Sequence, residues 1–326
     1  MKRLLSGIKP TGDLTIGNYI GAIKNFSKMQ KEYESFVFVA DLHAITIYND
    51  PKELKERIRN LIAIYLACGL DPKHTTLFIQ SENLYHANLG WVFECNTYMG
   101  EASRMTQYKE KSSKEKNIAV GLFTYPMLMA SDILIYDADV VPVGIDQKQH
   151  VELARNIAIR FNNKYGETFK VPEPIISETG AKIYDLQDPT KKMSKTDESD
   201  KGVIILLEDP NIARKKIMSA VTDSESKIYY DEKNKPGISN LLTIYASLKD
   251  ISIKEAETIF KDNNYGEFKK EVANVVVDFL TDLQDKYNKI ISSGIIDGIL
   301  DESNKKVRAI AESKIKEVFS KIGLGR

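Results

Sequence analysis

The chain has 326 residues and a formal net charge of zero, because 46 Lys and Arg balance 46 Asp and Glu, and 42% of its residues are hydrophobic. A chain of this size and composition can build its own core, and its zero net charge excludes a global field that would favour nucleic acid. Two cysteines are too few for a cysteine-rich zinc or iron–sulfur site, and the four histidines lack metal-ligand spacing, so we expect no structural metal.

The segment MKRLLSGIKP lacks the apolar run of a signal peptide, and no apolar run is long enough to span a membrane. Cys68 and Cys95 both fall in apolar helical patterns, which predicts reduced thiols inside the core. We therefore expect a cytoplasmic protein without a membrane partner.

Strands and helices alternate through the first half of the chain. Short apolar runs predict strands at 3–8, 35–41, 75–81 and 139–144. The periodic stretch after the second strand predicts a helix that is capped by Asp50, starts at Pro51 and ends at Gly69. This alternation favours a doubly wound parallel sheet, which binds ligands at the carboxyl ends of its strands.

The middle of the chain mixes helices with polar loops. Residues 101–117 are predicted to form an exposed helix end and a mobile loop, and residues 120–136 a buried helix with a break or kink near Pro126. A helix at 146–161 follows the fourth strand. The polar segment 175–200 is long for a loop inside a domain, which indicates a functional segment or disorder.

After a last predicted strand at 202–209, the pattern becomes helical. A linker at 222–239 leads to predicted helices at 238–248, 252–261, 267–291 and 301–322. We therefore expect an α/β domain at 1–221, with an inserted helical segment near 101–136. A helical domain is expected at 222–326, and its last helix is expected to dock on the first domain.

The turn PTGDLTIGNYIG at 10–21 has the layout of a phosphate site, since a strand precedes it and a helix is predicted from about Gly17. Neither the P-loop pattern nor G-x-G-x-x-G is present, and no lysine follows closely. The missing charge lies in the later loop sequence KKMSKT, which contains Lys192 and Lys195. We expect this loop to fold over the turn, although on charge alone a solvated lysine cluster is the commoner arrangement.

Two short strings resemble the signatures of class I aminoacyl-tRNA synthetases. TIGN at 15–18 resembles their HIGH sequence, and KMSKT at 192–196 resembles their KMSKS sequence. Further strings across the chain resemble the bacterial type of tryptophanyl-tRNA synthetase, namely SGIKPTGDLTIGNYIGA, DLHAIT, VPVGIDQKQHVELARN, AVTDSE and KPGISNLL. The resemblance implies a Rossmann-type catalytic domain followed by a helical domain that binds the tRNA anticodon. It also implies a homodimer that uses ATP with Mg²⁺ to attach L-tryptophan to tRNA(Trp) through a tryptophanyl-adenylate.

The resemblance further implies which residues form the site. The positions that correspond to catalytic ones are Lys192, Lys195, Thr15, Asn18 and Lys111. Those that correspond to ATP-binding positions are Lys9, Pro10, Thr11, Gly17, Asn18, Gly144, Ile145, Asp146, Ile183, Lys192, Met193, Ser194, Lys195 and Thr196. Those that correspond to tryptophan-binding positions are Leu5, Gly7, His43, Tyr125, Met129, Asp132, Ile133, Val141, Val143 and Gln147.

The chain departs from the family pattern at a few of these positions. Thr15 and Asn18 replace the two histidines of the first signature, and both can still donate hydrogen bonds to phosphate oxygens. Thr196 replaces the final serine of the second signature. Lys9 stands where relatives carry glutamine, and Leu5 stands where an aromatic residue is common, so that wall of the pocket is expected to be looser.

Several of these residues also fit purely structural roles. Asp132 in an apolar helix fits a buried acid with a local partner as well as a ligand contact, because a buried unpaired carboxylate is costly. Met129 and Ile133 have the spacing of core residues, and His43 fits a satisfied core histidine.

Other functions remain open at the level of the sequence. Tyrosyl-tRNA synthetase shares both signatures, but the tryptophan-type strings and the lack of a further carboxyl-terminal RNA-binding module argue against it. A small-molecule adenylyltransferase would not need the helical region after residue 222. A non-catalytic nucleotide- or RNA-binding paralogue would not need Lys192 and Lys195.

Overall fold

The computed structural model describes residues 1–112, 117–176, 182–194 and 200–326, with Lys111 described by its backbone alone. Its strands are β1 (Arg3–Ile8), β2 (Glu34–Val39), β3 (Thr75–Ile79), β4 (Val140–Val143) and β5 (Glu173–Ile176). Its α-helices in the first two thirds of the chain are α1 (Ile16–Asn18), α2 (Lys24–Met29), α3 (Asp41–Ala44), α4 (Pro51–Ala67), α5 (Tyr85–Glu94), α6 (Met99–Ala102), α7 (Thr106–Ser112), α8 (Val120–Leu134), α9 (Lys148–Tyr165) and α10 (Pro210–Met218). The later helices are α11 (Pro236–Lys249), α12 (Ile253–Phe260), α13 (Tyr265–Ser293) and α14 (Ile295–Ile322).

The strands form one parallel sheet in the order β3-β2-β1-β4-β5. Strand β1 therefore has β2 on one side and β4 on the other, and the chain changes direction across the sheet between β1 and β4. In open α/β sheets the crevice at such a switch point is where ligands bind. The predicted parallel sheet is confirmed, and the strand at β5 was not predicted.

The predicted strand at 202–209 is wrong. Among these residues, Ile205 makes only an isolated bridge with Thr15. The backbone instead joins the turn before α1, through Ile16 N–H to the Ile204 carbonyl at 2.9 Å and Leu206 N–H to the Leu14 carbonyl at 2.8 Å. The apolar run reflects burial beneath that turn, because Val203, Ile204 and Leu206 are all buried.

The sheet is covered on both faces, and its strand side chains alternate between two cores. Val37 and Val39 of β2 belong to one core, which α4, α10, α11 and α13 complete. Phe36 and Phe38 belong to the other, which α5, α8, α9 and α14 complete. The carboxyl-terminal helices thus contribute to both cores.

Local sequence signals explain several helix ends. The Asp50 carboxylate accepts from the backbone N–H groups of Lys52 and Glu53 at 3.0 and 3.1 Å, and Pro51 is the first helical residue, as predicted. Of the break or kink predicted near Pro126, the break is absent, because α8 is continuous through this residue. Cys95 is exposed just after α5 and not in the core, because its helical periodicity alone did not define which face the helix buries.

In the described part of the chain, no helix is both long and apolar enough to cross a membrane.

Candidate active site

A cavity of about 480 Å³ opens at the carboxyl ends of β1, β2 and β4, at the switch point of the sheet. Every residue that the resemblance assigned to tryptophan lines it, namely Leu5, Gly7, His43, Tyr125, Met129, Asp132, Ile133, Val141, Val143 and Gln147. Lys9, Asn18, Gly144 and Lys192 of the ATP set line it as well. The fold therefore brings two sets of residues that are distant in sequence to one opening, and their contacts with substrates stay predictions.

Asp132 is the most strongly held polar group of the cavity. Its side chain is 1% exposed. Oδ1 accepts from Gln80 Nε2 and pairs with His86 Nδ1, both at 2.7 Å, and Oδ2 pairs with His43 Nε2 at 2.7 Å. The local partners expected for a structural acid are thus present.

A carboxylate offers about four lone-pair positions, and three are occupied here. The remaining position is on Oδ2, and Asp132 lines the cavity. Burial alone would raise the pKa of Asp132, but its pairs with His43 and His86 outweigh burial and hold that pKa below its usual range. Asp132 is therefore an ionised acceptor with capacity for one more donor, so the structural and ligand-binding roles are compatible.

Polar side chains, among them Gln107, Tyr125 and Gln147, also line the cavity and form its polar wall. The Tyr125 hydroxyl contacts His150 Nε2 at 2.8 Å and donates to Gln107 Oε1 at 3.1 Å. Burial, and then the charge of Asp146, raises the pKa of Tyr125 to about 12, which keeps the phenol neutral. The amide groups of Gln107 and Gln147 donate to Asp146 Oδ2 at 3.3 and 3.1 Å. This wall can exchange hydrogen bonds with a polar ligand group.

Gly7 lines the cavity and is required there by close packing. A Cβ atom there would lie 2.7 Å from the Phe38 ring. Gly144 is similarly constrained, since a Cβ would lie 2.7 Å from Asp146 Oδ1. Both glycines let neighbouring side chains approach the ligand space.

The residues that replace the signature histidines form a capping box. Thr15 Oγ1 accepts from the Asn18 backbone N–H at 3.3 Å, and Asn18 Oδ1 accepts from the Thr15 backbone N–H at 2.8 Å. The Thr15 hydroxyl also donates to Asn18 Oδ1, at 3.1 Å, so its proton is already engaged. Asn18 Nδ2 has no partner among the described residues, and Asn18 lines the cavity. Asn18 is thus the better placed of the two to donate to a ligand.

The segment that carries Lys192 is anchored beside this turn. Its backbone pairs with residues 183–185, through Met193 N–H to the Ile183 carbonyl and Asp185 N–H to the Lys191 carbonyl, both at 2.9 Å. A Cβ on Gly17 would lie 3.4 Å from the Ile183 Cβ and 3.8 Å from the Met193 Cβ, so these three predicted ATP-binding residues lie together. Lys192 lines the cavity, so this part of the loop is not merely a solvated lysine cluster.

Other predicted residues lie around the opening or beyond it. Pro10 borders a separate small cavity, and Thr11 lines neither. Ile145 and Asp146 are exposed on the turn after β4, and Ser194 is the last described residue before the gap at 195–199. Lys195, Thr196 and the side chain of Lys111 lie outside the described residues.

Sequence reasoning missed part of the lining, namely Ser6, Ile8, Ala22, Phe26, Phe38, Ala40, Gln107 and Pro142. Most are apolar strand or helix residues that look like ordinary core, so no chemical signal marks them. Gln107 comes from the polar segment that was expected to be exposed, and only tertiary packing of α7 brings it to the cavity.

In the described ranges, no group of three or more His, Cys, Asp and Glu side chains is arranged to hold a metal ion.

A family model described as tRNA synthetases class I (W and Y) matches residues 1–281. The chain belongs to this family. A protein from Oceanobacillus iheyensis that is named tryptophan–tRNA ligase is 51% identical over 326 residues, covering 100% of both proteins. Tryptophanyl-tRNA synthetase from Mycoplasma pneumoniae has the same fold, with a TM-score of 0.92 and 37% identity over 100% of this chain and 98% of that one.

A second solved synthetase, from Campylobacter jejuni, is described as complexed with ADP and tryptophan. It matches with a TM-score of 0.83 and 35% identity, covering 99% of this chain and 100% of that one. This class I synthetase thus has the same fold as solved tryptophanyl-tRNA synthetases, as the sequence resemblance implied.

Proposed function

We propose that this chain attaches L-tryptophan to tRNA(Trp) at the expense of ATP. The observation that carries the proposal is the cavity itself, in which an apolar pocket with the ionised Asp132 carboxylate lies next to Asn18 and Lys192. The pocket fits an indole ring, because indole is large, apolar and carries a single N–H donor. The full-length relatives named tryptophan–tRNA ligase support the same activity.

The first step joins tryptophan to ATP. The tryptophan carboxylate attacks the α-phosphorus, a P–O bond to the β-phosphate breaks, and tryptophanyl-adenylate and pyrophosphate form. In the second step a hydroxyl of the terminal ribose of the tRNA attacks the activated carbonyl, and AMP leaves. Both nucleophiles come from substrates, so the protein contributes positioning and charge stabilisation.

The residues around the cavity divide these tasks. Asp132 accepts from the indole N–H, and Met129 and Ile133 pack against the ring from the same helix. Asn18 Nδ2 and the Lys192 ammonium group meet the phosphates, and Lys195 joins them from the loop. Mg²⁺ enters with ATP and shares the charge of the triphosphate. Asp146 accepts from a ribose hydroxyl.

The rest of the assignment concerns partners. Residues 1–221 form the catalytic domain, and residues 222–326 bind the anticodon region of the tRNA, with α14 packed on the catalytic domain. The enzyme works in the cytoplasm as a homodimer. Exposed apolar side chains on and beside α5, namely Leu84, Trp91 and Met99, support a subunit interface there. Helix α8 is also apolar, but about half of its residues are buried in the protein's own core, so it contributes less to this argument.

Pyrophosphate exchange into ATP tests the activity when it is run with each amino acid in turn. We expect exchange with tryptophan and little with tyrosine or phenylalanine. Exchange that follows tyrosine would assign the chain to the other branch of its family. A small-molecule adenylyltransferase would exchange pyrophosphate only with its own acceptor, and a binding paralogue would not exchange at all, so the absence of exchange with every amino acid would indicate one of these two.

A further inference from the structure

A chain of buried hydrogen bonds runs from Asp132 away from the cavity. His86 pairs with Asp132 Oδ1 through Nδ1 at 2.7 Å and with the Tyr136 hydroxyl through Nε2 at 2.8 Å. Asn83 Nδ2 donates to the same hydroxyl at 2.9 Å. His86, Tyr136 and Asn83 are at most 1% exposed, and none of them lines the cavity.

The donors and acceptors of this chain fix its direction. Asn83 Nδ2 can only donate, so the Tyr136 oxygen accepts from it and gives its own proton to His86 Nε2. The proton of the imidazole then sits on Nδ1 and points at Asp132 Oδ1. The orientation of Asn83 is itself determined, because its Oδ1 accepts from the Tyr85 backbone N–H at 3.3 Å.

The outer end of the chain is held by the last helix. Arg308 of α14 donates through Nε and Nη2 to the Glu82 carbonyl at 3.1 and 2.7 Å, and Asn304 contacts the Glu82 carboxylate. Asn83 Nδ2 also reaches the Val307 carbonyl at 3.5 Å. Helix α14 thus holds residues 82–83 in place, at the end of the hydrogen-bond chain that is remote from Asp132.

We propose that His86, Tyr136 and Asn83 are positioning residues that orient the Asp132 carboxylate, so that its remaining acceptor position on Oδ2 faces the indole N–H. Oδ1 is fixed by His86 and Gln80, and this leaves the plane of the carboxylate no freedom to turn away from the cavity. Selectivity for an N–H donor therefore depends on residues that never touch the amino acid. The inference rests on the proposed function, because it presupposes that tryptophan occupies the cavity.

Tyr136→Phe is the most conservative break in this chain. It removes only the hydroxyl and keeps the ring, which stacks on Phe36 with centroids 5.4 Å apart. The matched control is Tyr287→Phe. The Tyr287 hydroxyl donates to Asn60 Oδ1 at 2.7 Å and is not part of the hydrogen-bond chain to Asp132. The probe substrate is 3-(benzothiophen-3-yl)-L-alanine, which has the shape of tryptophan and sulfur in place of the N–H.

Pyrophosphate exchange with both amino acids gives the decisive ratio. We expect Tyr136→Phe to lower kcat/KM for tryptophan by about three- to tenfold, mainly through KM, because Asp132 keeps all three of its partners and only the hydroxyl that holds His86 in place is lost. Activation of the benzothienyl analogue and KM for ATP should stay within about twofold, and Tyr287→Phe should leave the ratio of the two substrates unchanged.

Equal losses for both amino acids in Tyr136→Phe, or no loss for either, would overturn the proposal and leave these residues a purely structural role. If Tyr136→Phe does not yield folded protein, Asn83→Ser breaks the chain one bond further out and must move the same ratio in the same direction. A wild-type protein that does not activate tryptophan would refute the proposed function instead, so the two failures are distinguishable.

Discussion

The substitution Asp132→Asn is the sharpest test of the pocket, because it removes the charge and keeps the shape. Oδ1 accepts from Gln80 and His86, so the amide nitrogen of the new side chain takes the position of Oδ2. There it presents an N–H to the cavity, where the indole N–H needs an acceptor. Binding of tryptophan thus loses a hydrogen bond to a charged group.

The structure sets the expected size of the effect. A hydrogen bond to a charged group contributes about 1.5–3 kcal/mol, and about 1.4 kcal/mol corresponds to a factor of ten. We therefore expect kcat/KM for tryptophan to fall about ten- to a hundredfold or more. Phenylalanine has no donor at this position, so its weak activation should change much less.

Asp132→Ala should lower tryptophan activation in the same range, but it is a less clean test. It leaves Gln80, His43 and His86 facing a buried space without their acceptor. An unsatisfied buried donor costs about 1–3 kcal/mol, so the Ala variant should also lose stability. Asn retains an oxygen for two of these donors and avoids most of that loss.

The assay compares tryptophan and phenylalanine in wild type, in Asp132→Asn and in the control Asp139→Asn. Asp139 accepts from the Arg3 backbone N–H at 2.7 Å at the start of β4, away from the cavity. Thermal unfolding of each variant separates binding from stability. If both amino acids lose activity by the same factor in Asp132→Asn, the carboxylate is structural and the assignment is wrong.

Three other predictions follow from the same structure and sequence. Lys195→Ala should slow adenylate formation by about a hundredfold or more, with KM for tryptophan little changed, because the charge of Lys195 meets the leaving pyrophosphate. Single-turnover kinetics, with Lys201→Ala as the control variant, would check this. A loss of ATP affinity alone would make Lys195 a ground-state anchor instead. Light scattering at micromolar concentration should give a dimer, which Trp91→Glu should weaken, whereas a monomeric wild type would contradict the proposed interface. Because the pKa of Asp132 lies below its usual value in the folded protein, its contribution to stability is present above about pH 3.9, the ordinary aspartate pKa, and is lost as the pH falls below it. Urea unfolding from about pH 6 down to about pH 2.5 should therefore show a smaller loss of unfolding free energy in Asp132→Asn than in wild type. Identical profiles would refute this origin of acid sensitivity.

Where a structure depends on neighbours in the sequence, prediction from the sequence was accurate. The Asp50 cap, the Pro51 start and the positive φ of Gly69 at the end of α4 all follow from residues within a few positions of one another. The strands at β1 to β4 lie within a residue or two of the predicted ranges, because short apolar runs between turn residues have few other solutions. Every residue that the resemblance assigned to tryptophan binding also lines the cavity, and its contact with the amino acid stays a prediction.

Long-range contacts were decided by the tertiary structure alone. The apolar run at 202–209 has the pattern of a strand. Its backbone partners, however, lie in the turn at 14–16, which is far away in the sequence. The same holds for the donors around Asp132, since no local pattern connects Gln80, His86 and Tyr136 to a residue on α8.

The sequence by itself determined the family, the alternating α/β plan and the chemical types of residue in the site. It did so because these properties depend on residue identity and on short-range spacing. The tertiary structure decided that Thr15 and Asn18 cap each other, that Lys192 reaches the cavity, and that Asp132 keeps one acceptor position on Oδ2. Those properties depend on which hydrogen bonds are already satisfied, and a buried polar group takes its partners from whichever elements the fold packs against it.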